Sequence, residues 1–310
     1  MSATGWARKT AALWIAALAV CVLGCQTATA KPLSIDENLP LFSASYHLIG
    51  KIRQHRIRPR ETLLDIARQY DLGFNEIQEL YPKMDLWLPP SGTVMHIPSK
   101  WILPHGEGGQ IVVNIAELRL YYFSPTGKQV STFPVGIGEK TQPTPEGSFV
   151  VTGKIRHPTW FVPPSLRHKY TFTSLPPGPD NPLGAFWLGL DHDHIGIHGT
   201  DFPWSIGWAM THGCIRLYPE DIKRLFRIIQ PGTTVKIIYA PVKIGTQNHR
   251  VFVEVHRDVY NRIDNFEQYG FDLLQEKQMT QRVDLEKFRR ALERQNGIPV
   301  DVTAQKEEEP

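Results

Sequence analysis

The 310-residue sequence lacks the features that mark several large function classes. Its formal net charge is only +3 and it contains no Lys/Arg block, which argues against a nucleic-acid partner. It has no glycine-rich nucleotide-binding loop and no internal repeat. No hydrophobic run reaches the roughly 20 residues that a membrane-spanning helix requires. With 41% hydrophobic residues the chain has the composition of a soluble globular protein, and it is long enough for more than one domain.

The most hydrophobic segment is at the N-terminus and predicts export. Arg8-Lys9 precedes an apolar run from Ala11 to Leu23, as in a signal peptide. Ala28-Thr29-Ala30 matches ordinary signal cleavage, which would remove residues 1–30. Val22 to Cys25 instead resembles a bacterial lipobox, which would remove residues 1–24 and leave Cys25 lipidated. An uncleaved anchor is a third alternative. We expect a periplasmic protein that contacts a membrane only if Cys25 carries a lipid.

Cysteine is scarce, which makes the one remaining thiol conspicuous. The chain contains three cysteines, and export removes Cys21 and either removes or acylates Cys25. Cys214 is then the only free thiol, so a disulfide within the mature chain is excluded. A lone thiol in an oxidising compartment is either a buried small hydrophobic residue or a nucleophile.

Residues 46–98 predict a small strand-helix-helix-strand unit. Thr62 with Asp65 forms a capping-box pattern before an apolar helical segment. The segments Pro59 to Ala67 and Asn75-Glu76-Ile77 resemble the LysM module, which binds the glycan of peptidoglycan. The resemblance implies a LysM-like domain, with a purely structural cap on the next domain as the alternative.

Residues 110–240 predict a mostly β body. Short strands separated by Gly and Pro favour a sandwich-like or barrel-like arrangement. The proline-rich insert from His157 to Pro182 predicts a rigid loop or lid. One amphipathic helix is predicted directly after Tyr218-Pro219. The predicted strands are Ile111 to Ile115, Arg119 to Phe123, Val130 to Val135, Phe149 to Thr152, Phe186 to Leu190, Ile195 to His198, Thr233 to Tyr239 and Val251 to Val255.

The remaining segments complete the expected organisation. Residues 241–300 predict a largely helical C-terminal extension, and residues 301–310 a disordered charged tail. The fold class expected for the whole chain is α+β and mostly β.

Two segments carry the residues needed for thiol chemistry. A thiol reacts as thiolate, and a neighbouring imidazole can serve as its base. His198 and Cys214 supply the two groups, and we expect backbone N–H groups of the helix after Cys214 to favour an anion there. Arg216 would lower the thiol pKa or bind a substrate carboxylate. The other candidate site residues are Gly199, Thr211, His212, Gly213 and, as groove-lining aromatics, Trp160 and Trp204.

Two other interpretations of these residues remain open. Cys214 could be a buried core thiol, although that explains neither the flanking His212 nor Gly213. Cys214, His198 and His212 could bind zinc, with His192 or His194 as a further ligand, although a closely spaced ligand pair is absent.

The segments resemble the YkuD family of L,D-transpeptidases, whose signature is a His followed after a gap by Ser/Thr-His-Gly-Cys. Thr211 to Cys214 matches the second half, with Thr in place of the commoner Ser. Thr144 to Phe149 matches the family's Thr-Pro-x-Gly-x-Phe. Residues 157–160 and 176–184 match the branch that carries an N-terminal LysM.

The resemblance implies a role for each residue of the site. Cys214 would be the nucleophile and His198 the general base. The carbonyl of Gly199 would orient the His198 ring, and the N–H of Cys214 would contribute to an oxyanion hole. His212 and Arg216 would shape the site. No metal or organic cofactor is implied.

The resemblance also implies a substrate and a reaction. The enzyme would acylate its thiol with a peptidoglycan tetrapeptide stem and pass the acyl group to an amine. The acceptor would be another stem, giving a 3→3 cross-link, or the lysine of an outer-membrane lipoprotein of the Braun type. Water as acceptor would make a carboxypeptidase, and a carbapenem would trap the thiol. A catalytically silent wall-tethering protein is the competing hypothesis.

Overall fold

The computed structural model describes residues 41–44, 47–104 and 108–305. The signal-peptide, lipobox and anchor alternatives lie outside these residues, as does the tail from residue 306. No helix in the described ranges is both long and apolar enough to cross a bilayer.

The strands are β1 Phe42–Ser43, β2 Leu48–Gly50, β3 Arg53–Arg56, β4 Val94–Ile97, β5 Lys100–Ile102, β6 Ile111–Asn114, β7 Arg119–Phe123, β8 Gln129–Pro134, β9 Ile137–Gly138, β10 Gly147–Arg156, β11 Trp160–Phe161, β12 Ser174–Leu175, β13 Phe186–Leu190, β14 Gly196–His198, β15 Ala209–Thr211, β16 Ile215–Arg216, β17 Thr234–Ile238, β18 Val242–Gln247, β19 Arg250–Val255 and β20 Val300–Asp301. The α-helices are α1 Leu63–Gln69, α2 Phe74–Leu80, α3 Pro219–Ile228, α4 Phe266–Glu276 and α5 Leu285–Arg294.

A nine-stranded mixed sheet in the order β1-β8-β7-β6-β17-β10-β13-β14-β16 forms the centre of the protein. The long strand β10 pairs with β17 through its first half and with β13 through its second half. Its register shifts between Val151 and Gly153, and a bulge of this kind bends a strand and increases its twist. The sheet therefore curls at β10, and the expected mostly β character is confirmed.

Strands β6 and β7 are buried on both faces. Ile111 and Val113 belong to the core enclosed by the curled sheet, which also contains Ile222 and Leu225 of α3. Val112 of the same strand packs in a second core with residues of α1 and α2. Burial on both faces explains why the sequence here is a continuous apolar run rather than an alternation.

The N-terminal unit contains the expected strand-helix-helix-strand order as β3, α1, α2 and β4. The capping box of α1 is present, since Asp65 N donates to Thr62 Oγ1 (3.1 Å) and Thr62 N donates to Asp65 Oδ2 (3.0 Å). On α1, Arg68 forms a two-pronged ion pair with Glu220 at the start of α3, with N–O distances of 2.7 and 2.8 Å. This unit is thus bonded directly to the helix that follows the candidate site.

The C-terminal segment contains the predicted strand at Val251 to Val255 as β19, and the predicted helical part beyond Asp258 as α4 and α5. Strands β18 and β20 were not predicted, and they pair with β19 in a three-stranded sheet that packs against both helices. Disorder from residue 301 is wrong for residues 301–305, since Val302 is fully buried and bonded to Val251 and Asp284 backbone groups. The polar neighbours of Val302 hid its burial in the sequence. The described residues all belong to one compact unit.

Candidate active site

His198 ends strand β14 and is 3% exposed. Its Nδ1 lies 2.6 Å from the carbonyl oxygen of Gly199. A carbonyl only accepts, so Nδ1 carries the proton. In the neutral ring the lone pair is then on Nε2, which leaves that atom able to take a proton from a nucleophile.

The surroundings of His198 keep its ring neutral. Burial lowers the pKa of His198 to about 3, and the charge of Arg216 lowers it further, against the opposing effect of the Gly199 and Leu183 carbonyls. An imidazolium is therefore strongly disfavoured in the resting site at neutral pH.

Cys214 is positioned by the strand beside β14. Strands β14 and β16 are parallel neighbours, with Ile197 opposite Ile215 and His198 opposite Arg216. This register places Cys214, one residue before β16, next to Gly196. Because alternate residues of a strand share a face, Cys214 and His198 lie on the same face of the sheet.

The thiol is also neutral at rest. Burial raises the pKa of Cys214 to about 11, although the N–H of Gly196 and the charge of Arg216 oppose this effect. The half-buried thiol donates to the carbonyl oxygen of His194, with an S–O distance of 3.2 Å. Arg216 thus acts in the expected direction, but burial outweighs it.

The expectation that the helix after Cys214 presents its N–H groups to the thiol is wrong. Strand β16 and two further residues separate it from α3, which begins at Pro219. The sequence places a strand there because Ile215 and Leu217 must enter the core beside β14. Stabilisation of the thiol by the first turn of α3 is therefore not part of this site.

The loop before Cys214 depends on Gly213 and Thr211. Gly213 has φ +101°, and a Cβ there would lie 2.8 Å from Cδ1 of Ile195, so only glycine fits. The buried Thr211 donates from Oγ1 to the carbonyl oxygen of Cys214 at 2.6 Å. Its hydroxyl therefore holds the loop. His212 is half-buried between them.

The remaining candidates are distributed unequally around the site. Arg216 donates from Nη1 to Oγ of Ser205 at 3.0 Å, and Trp204 is the residue that precedes Ser205 in the short 3-10 helix Pro203–Ser205. Trp160 lies in the separate β11–β12 hairpin, where its ring contacts Tyr170 edge-on with centroids 5.1 Å apart. In the described part of the chain no bonded or ring contact joins Trp160 to Cys214 or His198.

Two residues of the site, Trp187 and Gly196, were not singled out from the sequence. Trp187 stacks on the His198 ring, and Gly196 lies beside Cys214. His194, which the sequence offered only as a zinc ligand, lies in an exposed turn between β13 and β14 with φ +62° and supplies the carbonyl that accepts from the thiol. Only the register of three strands brings these residues together, so no local sequence signal identifies them.

The geometry does not support a zinc site at Cys214. Within the described ranges, the only group of three potential metal ligands closer than 4.8 Å is Glu117, Glu254 and His256. There the Lys243 ammonium already lies 2.8 Å from Glu117 and 2.9 Å from Glu254. That position is filled by a cation of the chain itself, so the residues do not fit a metal ion.

We expect alkylation of Cys214 by iodoacetamide to be slow at pH 7, because this reagent reacts with thiolate. The pKa of Cys214 is about 11, whereas that of a free cysteine is roughly 8.5. The smaller thiolate fraction is partly offset by the greater nucleophilicity of the more basic thiolate. We therefore expect an alkylation rate roughly 30-fold below that of a cysteine peptide. The rate should rise about tenfold per pH unit up to pH 10. Mass spectrometry of the chain from Lys31, native and in urea, measures it. A plateau below pH 8 in the native protein would instead indicate a thiolate–imidazolium pair.

The arrangement defines the class of protein. The Cys214 thiol and a neutral imidazole with an unprotonated Nε2 lie on one sheet face, next to a cationic side chain, and the thiol follows a loop that requires glycine. These are the components of an enzyme that carries an acyl group on cysteine.

Comparisons with known proteins identify the family. Residues 108–237 match the YkuD model, described as the L,D-transpeptidase catalytic domain. Three Escherichia coli K12 proteins are similar over most of their lengths. The probable L,D-transpeptidase ErfK/SrfK is 34% identical over 87% of this chain and 92% of its own. YcfS is 34% identical over 85% and 87%, and YbiS 35% over 84% and 85%. The chain belongs to the YkuD family of L,D-transpeptidases.

Proposed function

We propose that this L,D-transpeptidase uses Cys214 as its nucleophile and His198 as its general base and acid. The sulfur attacks the carbonyl carbon of the meso-diaminopimelate residue in a tetrapeptide stem while its proton passes to Nε2 of His198. The imidazolium then protonates the leaving D-Ala amine as the C–N bond breaks. A thioester remains, and an acceptor amine attacks it to form a new amide and regenerate the thiol. The thioester retains the energy of the broken amide, so no ATP is needed.

One observation carries the assignment: adjacent strands present the thiol and the imidazole on the same face, with Nδ1 of His198 bonded to the Gly199 carbonyl. That bond leaves Nε2 as the proton acceptor. Proton transfer from sulfur to ring creates two opposite charges together, and their mutual attraction offsets the burial penalty of each. The thiol therefore ionises as it attacks the substrate carbonyl, and the resting site contains a neutral thiol and a neutral imidazole.

The surrounding groups have supporting roles in this proposal. The N–H of Cys214 contributes to the oxyanion hole, and His212 and Arg216 shape the donor site. We assign Trp204 to the groove near the thiol because it precedes Ser205, which Arg216 contacts. Trp160 and the rest of the proline-rich insert form a more distant part of the same groove, for which the exposed aromatic residues of that insert are the support.

We further propose a periplasmic location, with a LysM-like N-terminal unit that holds the enzyme on the glycan. The predicted signal peptide and the strand-helix-helix-strand order support these two points. The acceptor we favour is the lysine amine of an outer-membrane lipoprotein, with 3→3 cross-linking as the alternative. Mass spectrometry of the mature N-terminus distinguishes a start at Lys31 from a lipidated Cys25.

The proposal predicts products that mass spectrometry can distinguish. The chain from Lys31, incubated with purified tetrapeptide muropeptides without ATP, should release D-Ala and form 3→3 dimers. Adding a lipoprotein with a free C-terminal lysine should divert the acyl group to that protein. Conversion to free tripeptide alone would assign a carboxypeptidase. Binding to sacculi with no D-Ala release would support the wall-tethering alternative.

A further inference from the structure

Trp187 lies against the imidazole of the active site. Its partner across the antiparallel β13–β14 pair is His198, so the two side chains are direct neighbours on one face. Their rings stack, with centroids 5.6 Å apart and an angle of 24° between the planes. On the other side, the β14–β16 register places Arg216 opposite His198. The imidazole is thus between an indole and a guanidinium-bearing side chain.

Two paired glycines leave space for the indole. Gly189 of β13 and Gly196 of β14 are partners in the same ladder. A Cβ on Gly196 would lie 2.5 and 2.6 Å from Cζ2 and Cη2 of Trp187, and a Cβ on Gly189 would lie 3.1 Å from its Nε1. The indole ring therefore extends from His198 across both glycines. A larger residue at position 196 would occupy the space that the ring fills.

The same indole reaches the residue that supports the nucleophile. Gly196 lies beside Cys214 in the β14–β16 register, and its N–H donates to the thiol sulfur. Hydrogen bonds to the backbone carbonyls of Gly199 and Leu183 hold the edge of the His198 ring. A flat contact with a second ring restrains the tilt of the imidazole about that edge.

We propose that Trp187 is a positioning residue of this active site, whose indole fixes the plane of the His198 ring and hence the direction of Nε2 relative to Cys214. The inference rests on the proposed roles of His198 and Cys214. It assigns to Trp187 an effect on the chemical step and on the protonation of His198, beyond its contribution to packing. Removing the indole also admits water beside the imidazole, which favours the imidazolium.

The test compares Trp187→Leu, Trp187→Phe and Gly196→Ala in the chain from Lys31. Trp187→Leu should lower the carbapenem acylation rate at saturation by about tenfold or more, and should move the acid limb of the rate–pH profile up by about one unit or more. Trp187→Phe, which retains a flat ring, should remain within about threefold of the parent rate. Gly196→Ala should displace the indole and resemble Trp187→Leu, with little added effect when the two are combined.

The control is Trp87→Leu, which removes a 61% exposed tryptophan from the N-terminal unit and should change neither rate nor profile. Proton NMR of the His198 ring, assigned by comparison with His198→Gln, reports its pKa and the loss of ring-current shift without any reaction. A Trp187→Leu protein with the parent rate and acid limb would overturn the proposal. So would equal losses in the Phe and Leu variants with an unmoved acid limb, which would indicate packing alone. If the parent forms no adduct at all, the proposed function fails, and the NMR comparison still decides the role of Trp187.

Discussion

Replacing Cys214 with alanine is expected to abolish the covalent adduct with a carbapenem and all release of D-Ala from tetrapeptide stems. The reaction needs a sulfur that bonds to carbon, and the chain from Lys31 contains no other thiol. The protein should remain folded, since the half-buried Cys214 contributes one small side chain to the surface of the core. Intact-protein mass spectrometry detects the adduct, and a urea unfolding curve verifies folding.

Two further variants separate the nucleophile from its base. Cys214→Ser preserves size but substitutes a much less acidic hydroxyl, so we expect no adduct within hours. His198→Gln retains the thiol and removes the proton acceptor, and acylation should slow by roughly 10²- to 10⁴-fold. An adduct of unchanged mass on Cys214→Ala would place the nucleophile elsewhere and remove the basis of the proposed mechanism.

Local sequence patterns predicted the elements of the catalytic region well. The helix after Tyr218 begins at Pro219, and predicted strands such as Arg119 to Phe123 and Phe186 to Leu190 occur with the same bounds. Each depends on periodicity and turn residues within a short window, which a sequence displays directly. The bond between Nδ1 of His198 and the Gly199 carbonyl involves adjacent residues and was likewise expected.

The features of the site that could not be predicted depend on the register between strands that are distant in the sequence. Trp187 looks like an ordinary strand residue until β13 is paired with β14 in one particular alignment, since a shift of one residue would point it to the other face. Strand β16 is too short for periodicity to detect, so no strand was expected between Cys214 and the helix that begins at Pro219. Neither feature has a local pattern that could have predicted it.

The burial of several charged residues could not be predicted from the sequence either, because lysine and glutamate side chains are normally exposed. Glu117, Lys243 and Glu254 are at most 5% exposed, yet they come from the central sheet and the C-terminal segment. His256 donates from Nε2 to Glu254 at 2.8 Å, and Arg119 donates to Glu76 of α2 at 2.6 Å. These ion pairs join the N-terminal unit, the catalytic sheet and the C-terminal sheet into one network.

Lys243 is the cation on which this network depends most. Its Nζ lies 2.8 Å from Glu117 Oε2 and 2.9 Å from Glu254 Oε1, and it also donates to the Ile102 carbonyl at 2.7 Å and to Tyr121 Oη at 3.2 Å. Burial alone would raise the pKa of Glu117, but Lys243 and then His256 hold it below its usual value. Glu117 therefore remains ionised inside the protein because the Lys243 ammonium and His256 lie beside it.

Lys243→Met is expected to destabilise the protein by about 3–5 kcal/mol, because it leaves two buried carboxylates without their shared cation. Urea unfolding at pH 7 should show a lower midpoint, and the loss should shrink at acid pH, where Glu117 can be protonated. Adding Glu117→Gln to Lys243→Met should recover part of the stability by removing one of the unpaired charges.

Lys128→Met, at an exposed turn between β7 and β8, is the matched control and should change stability by about 0.5 kcal/mol or less. A Lys243→Met protein as stable as that control would show that the carboxylates have another source of charge compensation, and that the three segments are not held together by this ion pair network.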